Sequence, residues 1–415
     1  MGCLSWKYQV LCLLSFLFHS TPSSLSSSLS SISPCSALLH FNHSLSLHRD
    51  ASPPLDTPDY STEYRSNIHM CDNSYPKTAS WKEDEDCCTW DGVICHKTTR
   101  HVIGLDLSCS WLNGSIHSNS TLFFLPHLKR LNLAGNSFNY SPISSEFANF
   151  KTLTHLNLSN SMFSGKIPYE ISHLSSLVSL DLSLNDELLI ETPVWKRVIH
   201  NLTQLRELFL DWSNMSSIRP NSLINLSSSF TTLSLNYCNL QGKLENNILC
   251  LPSIQTLDLG FNDNLDLGSL PKCNGSSISL KFLDLSLMSF SGEFLDFIDN
   301  MKSLEHLNLA GCNLTGSIST SFDNLTKLTI LDLSSNSFSG EGELPNFIKN
   351  MKSLEHLNLA NCNLTGSIST SLGNLTRLTI LDLSYNSFSG EFQFQLLNFS
   401  CLWHTHELTI FFNYW

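Results

Sequence analysis

Cysteines and N-x-S/T sequons are the residues of this chain whose types and spacing could do chemistry. Of its 14 cysteines, Cys3 and Cys12 fall in a leader. Cys35, Cys71, Cys87, Cys88, Cys95 and Cys109 crowd the region before and at the first of a series of repeats, and the rest lie within or after those repeats. The leader has a weakly positive start at Lys7, a short apolar run VLCLLSFLF from Val10 to Phe18, and a Ser-rich stretch that offers small residues for cleavage. That run is too short to span a bilayer, so residues 1–33 read as a signal peptide with a Ser-rich leader. A secreted chain meets an oxidising environment, and disulfide formation is then the first chemistry to expect of the cysteines that remain.

Asparagine glycosylation is the second. Sequons begin at Asn42, Asn113, Asn119, Asn139, Asn157, Asn201, Asn214, Asn225, Asn274, Asn313, Asn324, Asn363, Asn374 and Asn398. Many are plain NLT or NLS text, yet together with the leader they predict a glycosylated extracellular chain. A glycan on Asn157 would limit binding on the face where that residue is expected to point.

Other chemistry finds little support. No Walker phosphate loop, GxSxG elbow, HExxH helix or CxxC pair occurs. Asn262, Asn264, Asp266 and Gly268 resemble a calcium loop only in passing, because Leu267 takes the glycine place and Cys273 that of the final carboxylate. Asp84, Glu85 and Asp86 read as a solvated face beside Cys87, and His404 and His406 have no evident third ligand. The expectation is a binding protein, with no enzymatic activity, cofactor or metal. A net charge of −13, from 23 Lys+Arg against 36 Asp+Glu, repels phosphate backbones and excludes nucleic acid as a partner.

These residues must be positioned by a repeat. From His101 onward the text LxLxxN recurs, as in GLDLSCS at 104, RLNLAGN at 130, SLDLSLN at 179, HLNLAGC at 306 and ILDLSYN at 380, with starts spaced 24 to 28 residues apart. Each unit supplies one short strand and a return segment, so residues 101–391 read as about twelve leucine-rich repeats. The fold class is an α/β repeat solenoid with a concave parallel β-sheet. Alternation turns Leu307 and Leu309 inward and leaves Glu305, His306, Asn308 and Ala310 outward. Asn136, Asn185, Asn262, Asn336 and Asn386 close each strand and can satisfy turn backbone from inside. Cys238, Cys312 and Cys362 fall at the same phase and read as buried structural thiols. Residues 300–341 and 350–391 are nearly identical, a duplication of two whole units that lengthens a solenoid without breaking its core.

Before the repeats, CSALLHFNHSLSL puts Ala37, Leu38, Leu39 and Phe41 on a helical face, and SWKEDEDCCTWDGVIC runs from Ser80 to Cys95. The latter resembles the amino-terminal cap of plant leucine-rich-repeat receptors and polygalacturonase-inhibiting proteins, so residues 35–100 form the cap, with 49–76 as an exposed insert. The xLxGxI text after the strands, as in MFSGKIPYEI and NLTGSISTSF, likewise resembles the plant-specific repeat, which implies a right-handed superhelix and a second short strand. In that family the pairing would be Cys35–Cys87 and Cys88–Cys95. Cys71 and Cys109 are left over close to the cap and could form a third bridge. Cys250 and Cys273 lie near the same phase of adjacent units, where stacked backbones sit about 5 Å apart, and could form a fourth.

Side chains on the concave face have no packing duty and can serve recognition. They are Lys129, Arg130, His155, Arg206, Glu207, Phe209, Asp211 with Trp212 beside it, Lys281, Phe282, Glu305, His306, Glu355 and His356, with Phe209 and Trp212 the expected anchors. The whole text resembles the plant receptor-like proteins of pathogen perception. That resemblance implies a peptide or protein ligand of pathogen origin, a receptor-kinase co-receptor and a place at the extracellular face of the plasma membrane. After Gly390 the pattern decays into an atypical tail, 392–415, with no membrane span; Leu408, Ile410 and Phe412 could supply a thirteenth strand. A truncated receptor ectodomain is the favoured reading, with a soluble inhibitor or decoy of the polygalacturonase-inhibitor kind, or a non-signalling fragment, as alternatives.

Overall fold

The structure is a computed structural model. It describes residues 32–49, 71–389 except 186, 227, 245–247, 268–277, 289–297, 299, 317, 319–321, 323, 339–347, 349 and 369, and finally 409–411. The leader, most of the insert and most of the tail lie outside the described residues, as does Cys273.

One sheet of 14 strands runs the length of the molecule. Its strands are β1 (Val93–Cys95), β2 (Val102–Asp106), β3 (Arg130–Asn132), β4 (His155–Asn157), β5 (Ser179–Asp181), β6 (Glu207–Phe209) and β7 (Thr232–Ser234). They continue as β8 (Thr256–Asp258), β9 (Phe282–Asp284), β10 (His306–Asn308), β11 (Ile330–Asp332), β12 (His356–Asn358), β13 (Ile380–Asp382) and β14 (Thr409–Phe411). β1 pairs antiparallel with β2, and every later pair is parallel and in register. β14 sets Ile410 opposite Leu381, the register a further repeat would have.

The core is the stack of inward leucines. Leu131, Leu156, Leu208, Leu257, Leu307 and Leu357 occupy one row and are all buried. At the strand ends, Asn136 donates to the carbonyls of Leu107 and Leu133, both at 2.8 Å, and its Oδ1 accepts from the amides of Ser110 and Leu112. Asn185 and Asn262 repeat this set. Each asparagine therefore satisfies turn backbone on two repeats at once. Cys238, Cys312 and Cys362 instead donate their thiols to the carbonyls of Leu210, Leu285 and Leu333, each at 3.1 Å. Burial raises all three thiols above the ordinary range, Cys362 to about 12, so they remain protonated donors.

A second edge carries short parallel pairs, Ser164–Lys166 with Glu187–Leu189 and Thr315–Gly316 with Ser337–Phe338 among them. The described return segments are mostly 3₁₀ turns, and one repeat inserts an α-helix, Thr192–Asn201, anchored by buried Trp195.

The cap closes the amino-terminal end. Helix Pro34–His43 begins with Ser33 accepting from the Ser36 amide and Pro34 in the first turn, and it buries Ala37, Leu38 and Phe41. Thr121 ties the helix to the first repeat through the Ala37 carbonyl at 2.7 Å. Trp81 stacks on Trp90 with centroids 5.0 Å apart. β1 covers the edge of β2, which would otherwise offer unpaired backbone to another chain. Disulfides join Cys35 to Cys87, Cys88 to Cys95 and Cys71 to Cys109. Cys250 is also disulfide-bonded.

Candidate functional site

The open face of the sheet is built from two rows that alternation alone does not distinguish. The first residue of each strand forms one row: Arg130, His155, Ser179, Glu207, Thr232, Thr256, Phe282, His306, Ile330, His356 and Ile380 lie side by side in register. The third residue forms the other, in which Asp and Asn are tied into hydrogen bonds. Asp181 accepts from the Ser183 amide and hydroxyl at 3.0 and 2.6 Å, and Asp284 accepts from the same groups of Ser286 at 2.9 and 2.7 Å. Asn308 and Asn358 donate across to Asp284 and Asp332, and Asn236, two residues beyond the end of β7, donates to Asp258, each at 2.9 Å. The Asp and Asn of this row are scaffold, and Phe209, in register with Asp181 and Ser234, interrupts them. Burial outweighs those hydrogen bonds at Asp181, whose carboxyl is pushed up to about 6 with further help from the nearby Asp211 charge.

The candidate ligand residues separate accordingly. Lys129, Arg130, Arg206, Lys281 and Glu305 are exposed, while His155, Glu207, Phe209, Trp212, Phe282, Glu355 and His356 are half-buried. Arg130 and His155 are strand neighbours, and burial together with the Arg130 charge holds His155 below its ordinary range, against a smaller opposing effect of Glu207. Phe282 lies against His306 with ring centroids 4.0 Å apart.

Two expected contacts are corrected. Asp211 is only 8% exposed, because it accepts from the Ser234 hydroxyl at 2.7 Å and the Asn236 amide at 2.8 Å; it braces the next repeat and presents no open carboxylate. His306 is 7% exposed beneath Phe282 and neighbouring strands, and burial, then the His356 charge, lowers its pKa to about 3. It offers a neutral, covered ring. Asn308 also alternates outward yet is buried in the scaffold row.

Sequence reasoning missed other residues. Arg377 forms an ion pair with Glu355, and its signal was available: position 377 is one of the few at which the duplicated segments differ, Lys327 being its counterpart. Trp212 stacks on Tyr237 with centroids 4.4 Å apart, and Tyr237 approaches Phe261 at 6.2 Å; Tyr237 and Phe261 were not singled out.

Among the described sequon residues, Asn119, Asn139, Asn214, Asn313, Asn324, Asn363 and Asn374 are exposed, whereas Asn42, Asn113, Asn157 and Asn201 are half-buried. Asn225 ends a 3₁₀ turn; Asn274 and Asn398 lie outside the described residues. No helix among the described residues is long and apolar enough to cross a membrane. The cluster Cys35, Asp86 and Cys87 has the proximity of a metal site, but its two sulfurs are bonded to each other.

A stack of in-register strands with a disulfide-bonded cap and an open polar face defines a leucine-rich-repeat solenoid. Family models agree: a leucine-rich repeat region matches residues 234–413, a leucine rich repeat N-terminal domain matches 64–96, and a single leucine rich repeat matches 152–174. The chain is a plant leucine-rich-repeat protein of the receptor-like kind. It is similar to Receptor-like protein 6 of Arabidopsis thaliana, 43% identical over 246 residues that cover 57% of this chain and 24% of that protein. It is also similar to Receptor-like protein 9DC1 of Solanum pimpinellifolium, 36% identical over 323 residues, covering 76% of this chain and 35% of the relative. The chain thus spans about a quarter to a third of the length of these relatives. The solved structure of PEPR1–AtPEP1 matches it with a TM-score of 0.55 and 27% identity, over 92% of this chain and 51% of that one.

Proposed function

We propose that this chain is the ligand-recognition part of an extracellular receptor-like protein, and that it binds a peptide or protein segment through the open face of its sheet in the service of defence perception. The observation that carries the reading is the division of that face into two rows. The Asp/Asn row is committed to hydrogen bonds, while Lys129, Arg130, Arg206, Lys281 and Glu305 stand exposed around half-buried Phe209 and Phe282. A rigid scaffold then holds charged and aromatic groups that have no other duty, which is the composition of a specific interface. The receptor names of the relatives and the AtPEP1 partner in the PEPR1 structure point the same way. A co-receptor would join at a surface the ligand leaves open.

The test uses the full chain, secreted and glycosylated, as bait for a displayed library of random linear peptides. Enriched clones should lose about tenfold or more in recovery on a bait carrying Arg206→Glu and Lys281→Glu, since reversing charges at an interface turns attraction into repulsion. Recovery that ignores both changes would remove the open face from consideration.

A further inference from the structure

Just beyond each strand of the sheet, one residue adopts a left-handed backbone. Glycine or asparagine suits that conformation, and this chain places Gly135, Asn160, Gly311 and Asn361 there, with φ of 68°, 48°, 65° and 53°. In the consecutive repeats between them the residues are Leu184, Trp212, Tyr237, Phe261 and Leu287, with φ of 58°, 67°, 55°, 57° and 56°. Bulky side chains in this region are strained, and they persist where something other than folding favours them.

These five side chains form one strip. The amide of Leu184 donates to the carbonyl of Asp211, that of Trp212 to Asn236, that of Tyr237 to Gly260 and that of Phe261 to Ser286, all between 2.8 and 3.0 Å, so each left-handed residue is bonded to the one just before its successor. Trp212 and Tyr237 stack face to face at an interplanar angle of 22°, which covers one face of each. Tyr237 remains 44% exposed and Leu287 39%, with half-buried Phe261 in the repeat between them.

Two further features bear on what covers the strip. Two residues past the left-handed position stands a sequon asparagine at Asn214, Asn313 and Asn363. In the repeats of Tyr237 and Phe261 the same place holds Asn239, whose sequon is broken by Gln241, and Asp263. At Tyr237 and Phe261 the edge therefore lacks a glycan acceptor at this phase. Exposed Glu187 and Asp263 follow Leu184 and Phe261 within a few residues, and the nearby lysine, Lys243, is in register with Asp266 of the adjoining short strand.

We infer that the strip from Leu184 to Leu287 is a docking edge for a cationic polypeptide segment that lays an aromatic or aliphatic side chain against Tyr237 and Leu287 and sets a lysine or arginine beside Asp263. This deepens the proposed function, since it names the part of the ligand the receptor would grip, and it rests on that reading. Trp212 and Tyr237 each cover one face of the other, and the remaining aromatic surface, a phenol and nearby carboxylates suit a basic, apolar peptide.

The experiment pans the same displayed library on the full glycosylated chain and on two variants, Tyr237→Asn combined with Leu287→Gly, which writes no new sequon, and Asp263→Lys. Asparagine and glycine accept the left-handed backbone, so the double variant should keep the thermal midpoint while recovery of enriched clones falls about tenfold. Clones enriched on the unmodified chain should carry Lys or Arg next to Trp, Phe or Leu, with an acidic residue elsewhere in the segment to meet Arg206 and Lys281, and Asp263→Lys should abolish the basic bias alone. Clones lacking basic residues, clones indifferent to the double variant, or a midpoint that collapses in it would overturn the inference. So would sedimentation showing a dimer that the double variant dissolves, because the occupant would then be a second copy. Loss of capture on Arg206→Glu with Lys281→Glu, without loss on the strip variants, leaves the open-face reading standing and removes the strip; the reverse removes the open face alone. A chain that enriches no peptide over bare resin removes both.

Discussion

Asn308 donates its side-chain amide to Asp284 of the preceding strand at 2.9 Å, and fifty residues on the duplicated pair Asn358 and Asp332 makes the same bond at the same distance. Asn308 also lies in register with Asp332 on its other side, so one amide separates two buried carboxylates. An acid at every strand would place like charges about 4.8 Å apart with little water between them.

Asn308→Asp tests that separation. The variant would line up carboxylates on four adjacent strands, β8 to β11, since Asp258 already lies in register with Asp284, and at neutral pH it should lose on the order of 2 to 4 kcal/mol of unfolding free energy. Its deficit should shrink in acid as the cluster gains protons. Urea unfolding across pH measures both. A variant as stable as the parent at neutral pH would show that the amide does not buffer the row.

Asp181 gives a second pH signature, of defined sign. Its folded pKa is raised to about 6 by burial, with Ser183 opposing and Asp211 adding to the rise, so the folded state holds a proton the unfolded chain has released. Stability from this group is fully present below the unfolded value, near 4, falls as pH climbs through 6, and stays lower above it. Asp181→Asn, compared with the parent in protein made without N-glycosylation because the change writes an Asn-Leu-Ser sequon, should erase this slope and stabilise the protein at neutral pH by on the order of 2 to 3 kcal/mol. Asparagine already stands at the equivalent place in Asn132, Asn157 and Asn308, and its oxygen can still accept from Ser183. Parallel pH-dependent unfolding curves for parent and variant would refute the assignment.

The repeat and the cap were legible because their signals are positional. LxLxxN recurs at nearly fixed spacing, and the paired Cys87 and Cys88 stand at set distances from Trp81, Trp90 and Cys95. Coverage was not legible. Alternation says which way Asp211 and His306 leave the strand, but parallel neighbours about 4.8 Å away decide whether water reaches them, and those neighbours come from repeats many residues distant. The aromatic edge was hidden for a different reason. Left-handed positions are read from glycine and asparagine, and Trp212, Tyr237 and Phe261 occupy them against that preference. Only Trp212 was singled out, as a partner of Phe209; its stacking partner proves to be Tyr237 of the next repeat.

His306 should make the molecule acid-sensitive in the opposite sense to Asp181. It lies under Phe282 at 4.0 Å, and burial, then the charge of His356, holds its pKa down to about 3 against an ordinary 6.5. The unfolded chain therefore takes a proton first as pH falls. Stability from this group is complete above about 6.5 and declines through the window down to 3, with on the order of 2 kcal/mol lost by about pH 5. His306→Ile extends the apolar row of Ile330 and Ile380 and carries no titrating group. The variant should match or exceed the parent in urea at neutral pH and should hold its midpoint better on acidification. Because Asp181 gains and His306 loses on the same descent, the parent can look nearly flat between them; the double variant Asp181→Asn with His306→Ile separates the two. If the His306→Ile curve bends in acid as steeply as the parent's, the covered imidazole is not the group that titrates.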